Sequence, residues 1–193
     1  MRLFAALDID PGIRERMARF LDGVREFAPD ARWVSAESLH ITLKFIGEQP
    51  DRKLETILKA LAEIRSPATS LNFHGYGFFP TPRSARVFWI GLDGDEHLAK
   101  LASLVEQALE PLGIAREGRA FSPHLTLARG KSAAPQRRPH DHPNRIFQRL
   151  QEKLSLLPAP EFGTMSAREF FLYQSRLSPA GSQYTKLQGF PLT

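Results

Sequence analysis

Two short segments of the chain each place a histidine and a threonine two positions apart. The first reads HITL, with His40 and Thr42, and the second reads HLTL, with His124 and Thr126. Both segments read as buried strands, and a strand directs residues two apart to the same face. Imidazole, with an unperturbed pKa of about 6.5, exchanges protons near neutral pH, and a threonine hydroxyl can donate to a phosphoryl oxygen. The pattern therefore predicts acid–base chemistry, in which one histidine gives a proton and the other takes one.

Strand alternation also predicts which neighbours share a face with these histidines. Lys44 should lie on the face of His40, whereas the opposite, packed face should carry Ile41, Leu43 and Phe45. In the second strand, strict alternation directs Arg129 to the packed face. Arg129 can reach the histidines only if the strand ends at Gly130 or contains a bulge. A cation that reached them would neutralise negative charge developing on a phosphate.

The elements around these strands follow from periodicity and turn signals. Helices are predicted from Pro11, with Asp10 as the cap, and over about 51–65, 95–112 and 145–156. Further strands are predicted at 2–9, 71–79, 85–92, 161–165, 168–174 and 184–187. Residues 130–144, rich in proline and charge, are predicted to form a loop beside the second histidine segment.

The order of these elements repeats along the chain. When the sequence is shifted by about 84 residues, His40 falls on His124 and Thr42 on Thr126, and apolar helix positions coincide as well. This predicts a single bilobal domain, 1–193, with duplicated units at about 2–46 and 86–130 related by an approximate two-fold axis. The two histidines would then face each other across the cleft between the lobes.

Composition is that of a soluble globular protein. The 193 residues are 42% hydrophobic and 24% charged, and no apolar run approaches the roughly 18 to 20 residues that a membrane span needs. The formal charge of +5 indicates an anionic partner. The chain has no cysteine, which excludes disulfides, thiolate nucleophiles and cysteine zinc sites, and fits a reducing compartment. We therefore expect a cytoplasmic protein without a membrane partner.

The paired segments, the opening RLFAALD and the tail LYQSRLSPAGSQYTKL resemble the 2H phosphoesterase superfamily. They look most like its bacterial and archaeal RNA 2',3'-cyclic phosphodiesterases, historically called 2'-5' RNA ligases, and the resemblance covers nearly the whole chain. It implies an α+β, bilobal fold with two antiparallel sheets, flanking helices and an active-site cleft between the lobes. It also implies hydrolysis of cyclic phosphate ends of RNA to 2'-phosphates, with no metal ion and no other cofactor.

The resemblance further implies a role for each matching residue. His40 would be the proton donor to the leaving ribose oxygen, and His124 the proton acceptor that activates water. The substrate would be bound by Thr42, Thr126, Arg129 and Phe4. The threonines would hold the phosphate, the arginine would assist them, and the phenylalanine would wall the site. The expected partner is RNA with a 2',3'-cyclic phosphate end, tRNA fragments among the candidates, bound by a monomeric enzyme.

Other interpretations stay open. The same site could join a cyclic phosphate end to a 5'-hydroxyl by the reverse reaction, or act on a small cyclic nucleotide or a 2'-5' oligonucleotide. In a different class, the chain could be an RNA-binding module whose histidines only donate hydrogen bonds. The loop at 130–144 could alter the mouth of the cleft and with it the size of the substrate.

Three further features of the sequence each allow two interpretations. The HDHP segment at 140–143 has a His-x-His pattern without further ligands, so a solvated loop is favoured over a metal site. Basic residues cluster around the second motif, at 116, 119, 129, 131, 137 and 138, and predict either an ordinary surface or contacts to a phosphate backbone. Four strand aromatics could stack on a base, although such residues more often belong to the core: Trp33, Phe78, Phe79 and Trp89.

Overall fold

The computed structural model describes residues 1–130, 145–178 and 181–193. Within these ranges the strands are β1 (Arg2–Asp8), β2 (Arg32–Trp33), β3 (His40–Glu48), β4 (Thr69–Phe79), β5 (Val87–Gly94), β6 (His124–Arg129), β7 (Glu161–Ala167), β8 (Glu169–Ser178) and β9 (Gly181–Pro191). The helices are α1 (Pro11–Val24), α2 (Leu54–Ala62), α3 (Glu96–Leu109) and α4 (Gln148–Ser155). None of the helices in the described ranges is long and apolar enough to span a membrane.

Helix α1 begins where the sequence predicts. The Asp10 side chain accepts a hydrogen bond from the Ile13 N–H at 2.7 Å, and Pro11 occupies the first turn. The buried stripe of the helix consists of Ile13, Met17, Leu21 and Val24.

Helix α2 is shorter than predicted because Asp51–Lys53 forms a 3-10 turn. The three C-terminal strands are longer than predicted, and most of the predicted loop, 131–144, lies outside the described residues.

The strands form an antiparallel sheet in the order β7-β4-β5-β6-β3-β1-β8-β9, with β2 also paired to β6. Two sheets were predicted, and the sheet indeed divides into two halves, β3-β1-β8-β9 and β7-β4-β5-β6, the second of which also carries β2. In the described residues these halves are joined through one residue pair, Ile41 on β3 and Leu125 on β6. The α+β fold is confirmed, with the qualification that its two sheets are hydrogen-bonded into one.

Both predicted repeat units have the same order of elements. The first contains β1, α1 and β3, and the second contains β5, α3 and β6. The histidine strands β3 and β6 are neighbours at the middle of the sheet, and β1 and β5 flank them on either side. The origin of the two units by duplication stays a prediction.

The helices cover one face of the sheet and leave much of the other to the site. Helix α1 packs against β7, and α3 packs against β3, β4 and β5. On the opposite face of β1, a small second cluster contains Phe4, Ala6 and Tyr173, with Phe171 and Tyr184 packed against it. Residues of β1 therefore enter two different apolar environments in alternation, which explains why the strand is apolar throughout.

Two β-bulges overturn part of the predicted alternation. In β3, Ala5 of β1 pairs with Lys44 while Ala6 pairs with Thr42, so Leu43 falls in a bulge. The extra residue reverses the facing of the residues that follow it, as far as a second register shift at Ile46. The prediction for two residues was therefore wrong: Lys44 is buried, with 2% of its surface exposed, and Phe45 is 52% exposed.

The second histidine strand contains its bulge at the corresponding position. Phe88 of β5 pairs with Ala128 and Trp89 pairs with Thr126, which places Leu127 in the bulge. Leu127 and Ala128 are both buried, and Arg129 is exposed. Strict alternation would have directed Arg129 to the packed face. Because of the bulge, Arg129 is turned away from the packed face and can face the histidines.

Candidate active site

Both histidines are held by the same kind of hydrogen bond. The Nδ1 atom of His40 lies 2.8 Å from the carbonyl oxygen of Ser38, and that of His124 lies 2.8 Å from the carbonyl oxygen of Ser122. Because a carbonyl oxygen can only accept, each Nδ1 carries a proton. Each neutral imidazole is then left with a lone pair on Nε2, the atom that can take or give a proton.

The pairing of β3 with β6 arranges the two histidines and two threonines as neighbours. Ile41 lies opposite Leu125, and an antiparallel register through this pair sets Thr42 beside His124 and His40 beside Thr126. Ile41 and Leu125 enter the core, so these four polar side chains share the other face. Diagonal neighbours in such a pairing lie about 7–8 Å apart, which leaves room for a phosphate between the histidines.

Three aromatic rings surround His40. Its ring centroid lies 4.8 Å from that of Phe4, 5.0 Å from that of Tyr184 and 6.1 Å from that of Tyr173. The Phe4 ring is buried and also stacks on Tyr173, with 5.1 Å between centroids. Phe4 therefore lies against the imidazole of His40, and its role in walling the substrate site stays a prediction.

His124 has a different aromatic environment. The Phe79 ring lies edge-on to it at 5.4 Å between centroids, and the Trp89 ring lies at 6.2 Å. These two rings stack on each other, whereas Phe78 is buried in the main core. A side chain at Gly77 would collide with the Trp89 ring, so this glycine makes room for the tryptophan. Phe79 and Trp89 are thus only partly buried and lie at the candidate site.

A cleft of about 780 Å³ extends from His124 towards α3 and the segment before β6. Near the histidine it is lined by Thr42, Phe45, Phe79 and Arg129. The lining also includes Arg116, Arg119 and Phe121, so the cleft combines cationic and aromatic side chains. Three of the predicted site residues lie outside this lining: His40, Thr126 and Phe4. The cleft is therefore an extension of the site on the side of His124.

Comparison with known families identifies the chain. A family model described as "LigT like Phosphoesterase" matches it twice, over residues 7–89 and 90–184. The chain belongs to the LigT-like phosphoesterase family. This membership confirms the resemblance predicted from the paired histidine segments and makes the chain a phosphoesterase.

Relatives of this LigT-like phosphoesterase are similar to it over their full length. A protein of Archaeoglobus fulgidus is 35% identical over 190 residues, which cover 98% of this chain and 99% of the relative. A protein of Methanothermobacter thermautotrophicus is 32% identical over 195 residues, covering 100% and 99%. Both relatives bear the name RNA 2',3'-cyclic phosphodiesterase.

Solved structures of the family have the same fold. TT0787 of Thermus thermophilus superposes with a TM-score of 0.79 at 28% identity, covering 100% of this chain and 98% of that one. Escherichia coli LigT complexed with 3'-AMP superposes with a TM-score of 0.77 at 30% identity, with the same coverage. The similarity extends over the whole chain and confirms the fold class.

The electrostatic environment of the LigT-like site makes the two histidines unequal. Burial lowers the pKa of His40 below its ordinary value of 6.5, and the positive charges of Arg129 and His124 lower it further. The hydrogen bond to Ser38 and the negative charge of Asp8 act in the opposite direction. Burial, together with the charge of Asp8, raises the pKa of Tyr173, so this phenol stays neutral and protonated.

Sequence reasoning missed several residues of this LigT-like site. Tyr173, Tyr184 and Asp8 surround His40 although they lie on β8, β9 and β1. The tail segment that carries the family resemblance contains both tyrosines, which was the available signal. Among the described residues, no group of three or more potential metal-binding side chains occurs. The HDHP segment lies outside the described residues.

Proposed function

We propose that this phosphoesterase hydrolyses 2',3'-cyclic phosphate ends of RNA to 2'-phosphomonoesters, with His40 as general acid and His124 as general base. The main observation that supports this proposal is that both imidazoles are anchored through Nδ1 and share a face with two threonines. The names of the relatives support RNA cyclic phosphate as the substrate.

The base half of the reaction follows from the tautomer of His124. Its unprotonated Nε2 accepts a proton from a water molecule, and the oxygen of that water attacks the phosphorus. The hydroxyl of Thr42 or Thr126 can donate a hydrogen bond to a non-bridging oxygen, and Arg129 offsets the added negative charge. No step in this sequence requires a metal ion.

The acid half requires His40 to carry a second proton. As the bond between phosphorus and the 3'-oxygen breaks, Nε2 of His40 donates its proton to that oxygen, and the phosphate stays on the 2'-oxygen. Burial of His40 opposes the charged form in the free enzyme. A bound phosphate anion between the histidines favours it, so the acid becomes charged where it is needed.

The test is turnover of an RNA oligonucleotide ending in a 2',3'-cyclic phosphate, in excess chelator, with identification of the phosphate isomer. Wild type should yield the 2'-phosphate. His40→Ala and His124→Ala should each lose about 10²- to 10⁴-fold in kcat, the usual contribution of a general acid or base. His97→Ala, at the start of α3 and away from the site, is the matched control and should retain activity.

Other results of this test would support other interpretations. Turnover that survives both histidine substitutions would mean that the site lies elsewhere. Joined RNA halves in place of hydrolysed ends would indicate the ligation reaction. RNA binding without turnover by folded wild type would indicate a binding module. Action on tRNA fragments, a monomeric state and a cytoplasmic location stay predictions.

A further inference from the structure

His40 has an acidic partner on the neighbouring strand, and His124 has none at the matching position. Asp8 of β1 pairs directly with His40, whereas the residue of β5 that pairs with His124 is Gly91. Directly paired residues project from the same face, so the Asp8 carboxylate and the His40 imidazole are on one side of the sheet. The two otherwise similar halves therefore differ at this position.

We propose that Asp8 is a positioning residue that holds His40 ready to carry the catalytic proton, so that the two histidines take unequal roles. The proposal rests on the function proposed above. A carboxylate beside an imidazole stabilises its charged form, which a general acid needs. His124 pairs with a residue that has no side chain, and a general base has to be neutral.

The carboxylate of Asp8 is fixed from three sides. One oxygen accepts from the Ile9 N–H at 2.9 Å and from Arg14 Nη2 at 2.7 Å, and the other accepts from Lys186 Nζ at 2.5 Å. These partners come from β1, α1 and β9. Burial alone would raise the pKa of this carboxyl, but its hydrogen bonds outweigh that effect and lower the pKa, so Asp8 is ionised.

Arg14 connects this carboxylate to the backbone that orients His40. Its Nη1 donates to the carbonyl oxygen of Ala36 at 2.5 Å, and its Nη2 also donates to that of Ile9 at 2.9 Å. Ala36 begins the 3-10 turn Ala36–Ser38, and Ser38 supplies the acceptor for His40 Nδ1. The same cluster thus sets both the charge beside the ring and the direction of its Nε2.

Apart from the Ser38 carbonyl oxygen, which also favours the charged form, the other groups that face His40 do not stabilise its imidazolium. Arg129 approaches it from β6 and disfavours a further positive charge, and His124 would do the same whenever it is itself protonated. The remaining neighbours are the uncharged rings Phe4, Tyr173 and Tyr184, from β1, β8 and β9. The charged partners of Asp8 itself are Arg14 and Lys186. Asp8 therefore supplies negative charge where burial and the charge of Arg129 act against the imidazolium.

The experiment is a pH titration of the histidine ring resonances by NMR in the free, full-length protein. The signals of His40 and His124 are assigned with His40→Asn and His124→Asn. Asp8→Asn should move the midpoint of His40 to lower pH and leave that of His124 nearly unchanged. Lys186→Met removes a cation that partly neutralises Asp8, and it should move the His40 midpoint to higher pH. If the two substitutions shift the His40 midpoint in opposite directions, the shifts result from the changed charges, since loss of structure would not produce opposite shifts.

Kinetics on the cyclic phosphate substrate give the second readout. In Asp8→Asn the alkaline limb of the kcat/KM profile should move to lower pH, with a tenfold loss of rate on that limb for each pH unit of displacement. An unchanged His40 midpoint in Asp8→Asn, or equal shifts of both histidines, would overturn the proposal. If Asp8→Asn does not fold, a Lys186→Met shift to lower pH, or no shift, would overturn it as well. Absence of turnover in wild type would refute the proposed function alone, because the NMR titration does not depend on activity.

Discussion

Ile41 of β3 lies directly opposite Leu125 of β6, and both side chains are fully buried. In the described residues this pair is the register contact between the two halves of the sheet. His40 and Thr42 flank Ile41, and His124 and Thr126 flank Leu125. This one apolar pair therefore determines how the proposed catalytic groups on the other face of the sheet are placed relative to one another.

Truncation of one side chain of the Ile41–Leu125 pair should affect both stability and activity. Leu125→Ala should lower the free energy of unfolding by about 2–5 kcal/mol, as is usual for a buried leucine. It should also reduce kcat/KM, because the spacing of the histidine strands is relaxed. Leu71→Ala, in β4, is an equally buried control. Denaturant unfolding and kinetics check both effects, and an equal loss of activity in the two variants would contradict this role of the pair.

Stability should fall as the pH falls through about 6.5, the ordinary pKa of histidine. The folded-state pKa of His40 is lowered, so between its two pKa values the unfolded chain binds more protons than the folded one. The decrease stops below the folded-state value. Asp8, whose pKa is also lowered, contributes stability above about pH 4 that is lost in stronger acid. Thermal melts from pH 8 to 5 should show a smaller decrease in His40→Gln than in wild type.

Lys44 forms a buried ion pair with Glu106. Removing the charge of one member should be strongly destabilising, whereas replacing both members together should cost little stability. The Nζ of Lys44 donates to Glu106 Oε1 at 2.9 Å and to the Ala115 carbonyl oxygen at 2.8 Å, and Glu106 also accepts from the Glu117 N–H. Although Glu106 Oε2 lies equally close to Nζ, it makes no aligned hydrogen bond with any described residue.

The prediction for this pair follows from desolvation. Glu106→Gln alone leaves a buried, unpaired ammonium and should cost about 3–5 kcal/mol. The double variant Lys44→Met with Glu106→Gln should recover much of that loss. Urea unfolding of the two single variants and the double variant measures the coupling. Simple additivity of the single effects would show that the two groups act independently.

Phe45 should matter for substrate and little for folding. Its ring is half exposed, lies on the cleft wall with Phe79 and His124, and contacts Phe4 at 6.3 Å between centroids. Stacking of a base on an aromatic ring contributes about 1–3 kcal/mol. Phe45→Ala should therefore raise KM about tenfold or more with little change in melting temperature. Leu156→Ala, at an exposed apolar residue after α4, is the control. An unchanged KM would remove Phe45 from the substrate site.

Arg129 should act on the transition state more than on binding. It is exposed at the end of β6 and its charge reaches His40. Arg129→Gln should reduce kcat by about two orders of magnitude, because loss of a positioned charge donor costs about 10²-fold or more in such sites. Arg116→Gln, at another cation of the cleft lining, should change KM and its salt dependence more than kcat. Equal effects on kcat in both variants would argue against a special place for Arg129.

The histidine strands were predictable because strand alternation is local. In a stretch of strand without a bulge, a residue two positions from His40 shares its face, so the pairs His40–Thr42 and His124–Thr126 followed from spacing. The cap of α1 and its buried stripe followed in the same way, from side chains within one or two turns. The prediction failed beyond Leu43, where Lys44 and Phe45 exchanged faces.

That failure has a physical cause outside the strand itself. A bulge forms where a strand and its partner differ by one residue in register, so it depends on β1 for β3 and on β5 for β6. Burial of Lys44 depended on Glu106, which lies on α3. The aromatic rings around His40 depended on the strand order that brings β8 and β9 beside β1. None of these partners is near the histidine in sequence.

The sequence by itself determined the chemistry that is available: two imidazoles, each with a hydroxyl on its own face, in a basic chain without thiols. Tertiary structure alone decided which further groups lie beside them, turning Arg129 and Phe45 towards the cleft and placing Asp8 beside one histidine only. The reason is that side-chain direction within a strand is set by neighbouring dihedral angles, whereas register, bulges and charge environment are set by pairing between distant segments.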